Sequence, residues 1–102
     1  MAYKIVFGFS KQAKLKYISH LDLMRLFMRA LRRAEIPIRF SEGFSPHPKL
    51  SLKRALKLGL ESEDEEATIA LRDWIEVEDF QKKLQDKLPE GIKLKNAKRD
   101  FD

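Results

Sequence analysis

Residues 16–53, KYISHLDLMRLFMRALRRAEIPIRFSEGFSPHPKLSLK, decide how the rest of the chain is organised. The stretch holds both histidines and three of the four prolines, and it runs from an arginine-rich amphipathic segment into a Gly-aromatic-Pro loop. Ser19 stands as an N-cap, Asp22 three residues on completes a relative of the capping box, and Ile18 is placed to staple onto Leu23. A helix therefore starts here, and Pro37 is expected to close it because the residue before proline is pushed out of the helical region. At ~100° per residue, Met24, Phe27, Met28, Leu31 and Ala34 share the expected core side, with Leu23 near its border. The opposite arc carries Asp22, Arg25, Arg29, Arg32 and Arg33.

Working outward, Tyr3, Ile5, Phe7 and Phe9 alternate with Lys4, Val6, Gly8 and Ser10, the period of a strand with one buried face. Lys11 to Lys16 reads as a loop or frayed strand end whose lysines are solvated. Beyond the helix, Ile36, Ile38 and Phe40 alternate around Pro37, which places a short strand at a sheet edge. In Glu42-Gly43-Phe44-Ser45-Pro46-His47-Pro48, Gly43 permits positive φ and two prolines stiffen the exit, so this is a shaped loop. Leu50, Leu52, Leu56, Leu58 and Leu60 form one arm of a hairpin, with a bulge expected near Arg54-Ala55. Glu61–Glu66 reads as its solvated tip, and Ala67, Ile69 and Leu71 as the returning strand. Val77, Phe80, Leu84 and Leu88 recur at helical spacing before Pro89-Glu90-Gly91, and Ile92 and Leu94 supply a final strand. Trp74 is expected to pack.

Strand, helix, short strand, long hairpin, helix, strand is the outline of an α+β ferredoxin-like sandwich. It has an antiparallel sheet of four to five strands and two helices on one face. The other sheet face is then open, with Lys4, Lys53, Lys57 and Lys93 as candidates to line it. At 102 residues this is a single domain, 1–102, with room for one modest core.

No cysteine is present, which excludes disulfides, Cys-ligated zinc and Cys-held iron–sulfur clusters within these residues. No apolar run approaches the ~20 residues of a membrane span and no signal-peptide segment is evident, so a cytoplasmic location without membrane contact is expected. The net charge of +5 conceals a division: residues 1–60 hold thirteen Lys/Arg against three carboxylates, and residues 61–102 hold eight against thirteen. The basic half is the candidate surface for a nucleic acid or phosphate, because arginine presents a planar two-pronged donor to phosphate oxygens. Candidate contacts are Lys16, Tyr17, Ser19, His20, Arg25, Arg29, Arg32, Arg33, Phe44, His47 and Lys49. The plain alternative for the arginines is a solvated helix face.

His20 falls in the first helical turn, on the side of Met24, Phe27 and Leu31, and reads as a partly buried ring facing the sheet edge. His47 is held between two prolines. If the loop folds over the helix start, His20, Ser19 and His47 converge beside Lys49 and Tyr17, a cluster suited to a phosphate or an RNA backbone, with Phe44 free to stack on a base. Two convergent histidines also have the chemistry for metal-independent cleavage of RNA, one taking the 2′-hydroxyl proton and one protonating the leaving oxygen. No compact metal-ligand motif is present.

Two blocks, Lys16-Tyr17-Ile18-Ser19-His20-Leu21-Asp22 and Gly43-Phe44-Ser45-Pro46-His47-Pro48-Lys49, resemble the signature blocks of the radical SAM-linked domain, a bacterial domain encoded beside or fused behind radical SAM proteins. Leu58-Gly59-Leu60-Glu61-Ser62 resembles a third block, and the similarity extends over essentially the whole chain. Members of that family are about twice as long, so the resemblance implies that this chain corresponds to the N-terminal half of a longer parent. Glu35 departs from an expected helix-ending glycine and Ser45 from a common asparagine; Glu35 is strained if its φ is positive. At fold level the family also resembles the ferredoxin-like RNA-binding proteins of CRISPR systems.

The resemblance implies a context rather than a reaction. With no cysteine here, any iron–sulfur cluster and S-adenosylmethionine belong to a partner, a radical SAM protein. Three functions fit: a non-catalytic accessory domain that binds RNA, such as tRNA or rRNA, or presents substrate to a radical SAM modification enzyme; a ribonuclease built on His20 and His47; and a protein-binding adaptor for the radical SAM partner.

Overall fold

Three odd-numbered side chains of the first strand, Ile5, Phe7 and Phe9, are fully buried, and the sandwich is built on them. The computed structural model describes residues 3–45, 49–53 and 61–100. Its elements are β1 (Tyr3–Lys11), α1 (His20–Arg33), β2 (Leu50–Leu52), β3 (Ser62–Leu71), α2 (Val77–Lys87) and β4 (Ile92–Asp100), with a short 3-10 helix at Ala13–Tyr17. The strands form one sheet in the order β2-β3-β1-β4, and every pairing is antiparallel. With its helices in the two crossover positions, this is the ferredoxin-like arrangement expected from the alternation of elements.

Both helices cover the Ile5-Phe7-Phe9 face. Phe7 lies 5.6 Å from both Phe27 of α1 and Phe80 of α2, and Phe9 lies 5.0 Å from Phe27. Such edge-to-face and tilted pairs contribute about 0.5–1.5 kcal/mol each beyond their buried area. From α1 the core takes Leu23, Phe27, Ala30, Leu31 and Ala34, while Met24 and Met28 pack from the flank. The buried stripe is thus rotated towards Leu23 relative to the sequence expectation. Small Ala30 fits where the helix approaches its neighbours, and the long methionine side chains reach the core from the border.

The Ser19 cap forms as expected: its Oγ accepts from the Asp22 N–H at 3.1 Å. The far end of α1 differs. The helix stops at Arg33, Ala34 caps it, and Glu35 turns into the left-handed region at φ 57°, so the chain has left the helix before Pro37. The Pro37 segment joins the sheet edge through the isolated bridge of Ile38 to Leu71, and Phe40 also takes part in a bridge.

Two other expectations are corrected. Lys11 is not a solvated loop residue; it ends β1 on the core side and is 1% exposed. Glu61–Glu66 is not a solvated tip, because β3 begins at Ser62 and Glu65 is 3% exposed. Glu65 lies opposite Phe9, hence on the helix-covered face, and its carboxylate accepts from Ser62 Oγ at 2.9 Å. The expected bulge near Arg54-Ala55, and Leu56 to Leu60, lie outside the described residues.

Among the described residues, no helix lies over the second sheet face. The register places Lys4, Val6, Gly8 and Ser10 on it, opposite Ala70, Thr68 and Glu66 of β3 and Asp100, Lys98, Asn96 and Lys93 of β4. Lys4 and Lys93 are there as expected, and Lys53 stands beside Glu66 at 3.6 Å; Lys57 lies outside the described residues. No described residue of this face is aromatic, so its described part offers no ring on which a nucleobase would stack.

Candidate nucleic-acid interface

The Ser19 cap, with Ile18 packed against the core that buries Leu23, fixes where α1 starts and therefore which residues point outward. Arg25, Arg29, Arg32 and Arg33 are all exposed along its outer arc. Arg25 has one neighbouring carboxylate, Asp22 at 3.5 Å, in a pair whose two side chains are each 61% exposed. An exposed pair of that kind contributes at most ~1 kcal/mol. Among the described residues Arg29 and Arg33 make no ion pair, and Arg32 lies over the ring of Phe40 at 5.9 Å.

Among the described residues, no carboxylate of the acidic second half forms an ion pair with this arc. Glu61 accepts from the backbone N–H of Ala13 at 3.0 Å, and Glu66 faces Lys53. Glu61 thereby ties the start of β3 to the 3-10 helix, and Glu66 pairs across the β2–β3 edge.

At the start of α1, Lys16, Tyr17, Ser19 and His20 come together by chain proximity. Tyr17 is 64% exposed and Lys16 Nζ lies 5.1 Å from its ring centroid. Ser19 Oγ is engaged as the cap. His20 opens the helix and is exposed, in contrast to the partly buried ring expected. Its angular position does match the core stripe, but at the first turn the stripe has run past the end of the packed core. Leu21 beside it is 57% exposed.

The Pro-rich loop leaves and rejoins the sheet elsewhere. Its base is closed where the Lys49 N–H donates to the Arg39 carbonyl at 2.9 Å, while Arg39 and Lys49 bond Ala70 through their own backbones. Ala70 pairs with Lys4, near the start of β1, whereas the 3-10 helix and α1 follow from the opposite end of that strand. Consistently, it is Arg32, in the last turn of α1, that touches Phe40. With fourteen residues, α1 separates the loop base from His20 by about 20 Å. Phe44 is fully exposed and Lys49 is exposed. His47 lies outside the described residues, so the structure assigns no distance between the two histidines.

The predicted residues that the structure describes thus lie at the two ends of one helix and along the arginine row between them. Two residues at the loop end, Arg39 and Phe40, lay outside the sequence expectation for the interface. Both are exposed, and their signal was an Arg-aromatic pair on an edge segment immediately before the loop. Trp74, expected to pack, is half exposed and stacked with Arg99. A groove of about 880 Å³ between α2 and β4, lined by Gln81, Gln85, Leu88, Ile92 and Leu94 among others, contains none of the predicted residues. No group of three or more His, Asp or Glu placed to hold a metal ion occurs among the described residues, and none of their helices is long and apolar enough to cross a membrane.

Fold and surface together define a small α+β domain with a basic helix exterior. Residues 4–100 match the family model DUF2344, an uncharacterized protein conserved in bacteria, and the chain belongs to that family. No curated protein and no solved structure shows significant similarity to it.

Proposed function

We propose that this chain is a non-catalytic accessory domain that binds RNA through the outer face of α1. The observation that supports this reading is the row of exposed guanidinium groups at Arg25, Arg29, Arg32 and Arg33, in which only Arg25 has a carboxylate partner among the described residues. A helix face built only for solubility gains from interspersed signs, whereas a single-sign row is maintained against its own repulsion and favours a polyanion. The exposed rings of Tyr17 at one end and of Phe40 and Phe44 at the other are available to stack on unpaired bases.

By the resemblance of the two signature blocks, the partner is a radical SAM modification enzyme that carries its own cluster and S-adenosylmethionine, and this domain presents the RNA to it. Binding of a labelled structured RNA at low salt, followed by anisotropy, tests the reading. The double charge reversal Arg25→Glu with Arg29→Glu is expected to weaken binding at least tenfold with the circular dichroism unchanged. Unchanged affinity in that folded variant would rule out the α1 face as the RNA site.

A further inference from the structure

At the sheet end remote from His20, Arg99 of β4 occupies an incomplete site. Its guanidinium carbon lies 3.6 Å from the ring centroid of Trp74, and Nη2 donates to the Ile75 carbonyl at 2.6 Å. Nη1 is buried and has no hydrogen-bond partner among the described residues. Among the described residues no carboxylate pairs with this charge. A buried guanidinium nitrogen left without a hydrogen-bond partner is unfavourable unless another interaction offsets it.

Two carboxylates flanking Trp74 act on the tryptophan instead. Asp73 Oδ1 accepts from the Trp74 backbone N–H at 2.8 Å, and Glu76 Oε1 accepts from its indole N–H at 3.3 Å. Tyr3 meets the indole edge-on at 5.9 Å. The ring is 52% exposed, so one of its faces covers the guanidinium while much of the remainder meets solvent. Among the described residues, a long, exposed hydrogen bond to Glu76 and the edge contact with Tyr3 engage the indole away from Arg99.

We infer that Arg99 is the receptor for an oxyanion, phosphate or carboxylate, and that Trp74 is the cover that moves aside to admit it. The ligand oxygen accepts from Nη1, the donor left without a partner, while the Nη2 bond to Ile75 keeps the guanidinium oriented. This site stands apart from the α1 surface and does not depend on RNA binding there.

The chain has one tryptophan, so its emission reports on the cover directly. The full chain is titrated with inorganic phosphate and, separately, with acetate, at ionic strength held constant with sodium chloride. A saturable change in Trp74 emission is expected in at least one arm; phosphate alone assigns a phosphate site and acetate alone a carboxylate site. Arg99→Gln is expected to shift the midpoint at least tenfold, as is Arg99→Lys, which keeps the charge but not the forked head. The Arg99 side-chain N–H resonance of the wild-type protein should move with the same midpoint, a readout that holds even if both variants unfold. Absence of a saturable change in both arms, an unshifted midpoint in either folded variant, or a stationary Arg99 resonance overturns the inference.

Discussion

The backbone N–H of Ile36 reaches back to the carbonyl of Leu31 at 3.1 Å, and inside that loop the Glu35 N–H bonds the Arg32 carbonyl at 3.0 Å. The two bonds complete a Schellman closure of α1, with Ile36 and Leu31 both buried as its hydrophobic contact. The position that closure reserves for a left-handed residue is filled by Glu35 at φ 57°. Its Cβ crowds the following carbonyl, a cost glycine does not bear. Glu35→Gly is therefore expected to stabilise the domain by about 0.5–1 kcal/mol, part of the relief being offset by the freedom glycine adds to the unfolded chain. In a domain of this size that is a rise in Tm of roughly 2–8 °C, measurable by thermal denaturation. A lower Tm would mean that the Glu35 side chain makes a stabilising contribution larger than its backbone cost.

Glu35 also shows what could be read from sequence alone. The expectation of a helix-ending glycine there came from the family resemblance, while the residues themselves pointed to Pro37 as the stop. Capping at a helix start is legible because it is a local matter of a few residues. The Ser19 cap, the alternation of β1 and the spacing of α2 were legible for the same reason. Lys11 and Glu65 were not. Both read as solvated because they are charged, yet strand parity carries them onto the core side, at a sheet end where the hydrophobic side chains have given way to polar ones. His20 failed in the opposite sense, since a helical wheel specifies angle but not how far along the axis the core extends. The separation of the Pro-rich loop base from the helix start depends on which strands pair, and pairing is set by non-local contacts that periodicity does not encode.

Two glycines with opposite surroundings give a second test. Gly91 has φ 103°, and a Cβ there would stand 2.8 Å from the Gln12 carbonyl oxygen and 3.1 Å from Leu15 Cγ. The first obstacle is backbone, held in place by the Gln12 N–H bond to the Gly91 carbonyl at 2.8 Å. At Gly8 the added Cβ would meet only the end of the Asn96 side chain, 2.9 Å away, which is free to rotate towards the open sheet face. Gly91→Ala is expected to cost about 1–3 kcal/mol, because φ strain and backbone displacement act together. Gly8→Ala is expected to stay within about 1 kcal/mol of wild type. Urea denaturation of the pair decides it, and equal costs at the two positions would contradict the contrast.

The arginine row makes a graded prediction about salt. Each phosphate contact releases condensed counterions, so the logarithm of the binding constant falls with the logarithm of salt by about 0.7 per contact on single strands and about 0.9 on duplex. Arg29 and Arg33 have no carboxylate beside them among the described residues, whereas Arg25 faces Asp22 at 3.5 Å and must exchange that neighbour for the phosphate. Arg29→Gln and Arg33→Gln are each expected to lower the steepness of the salt dependence by about 0.7–0.9. Arg25→Gln should lower it by less, and Lys83→Gln on the exposed side of α2 should leave it unchanged. Anisotropy titrations with one RNA at four salt concentrations measure all the slopes. If Lys83→Gln flattens the slope as much as Arg29→Gln does, the attraction belongs to the charge of the whole molecule and not to the outer face of α1.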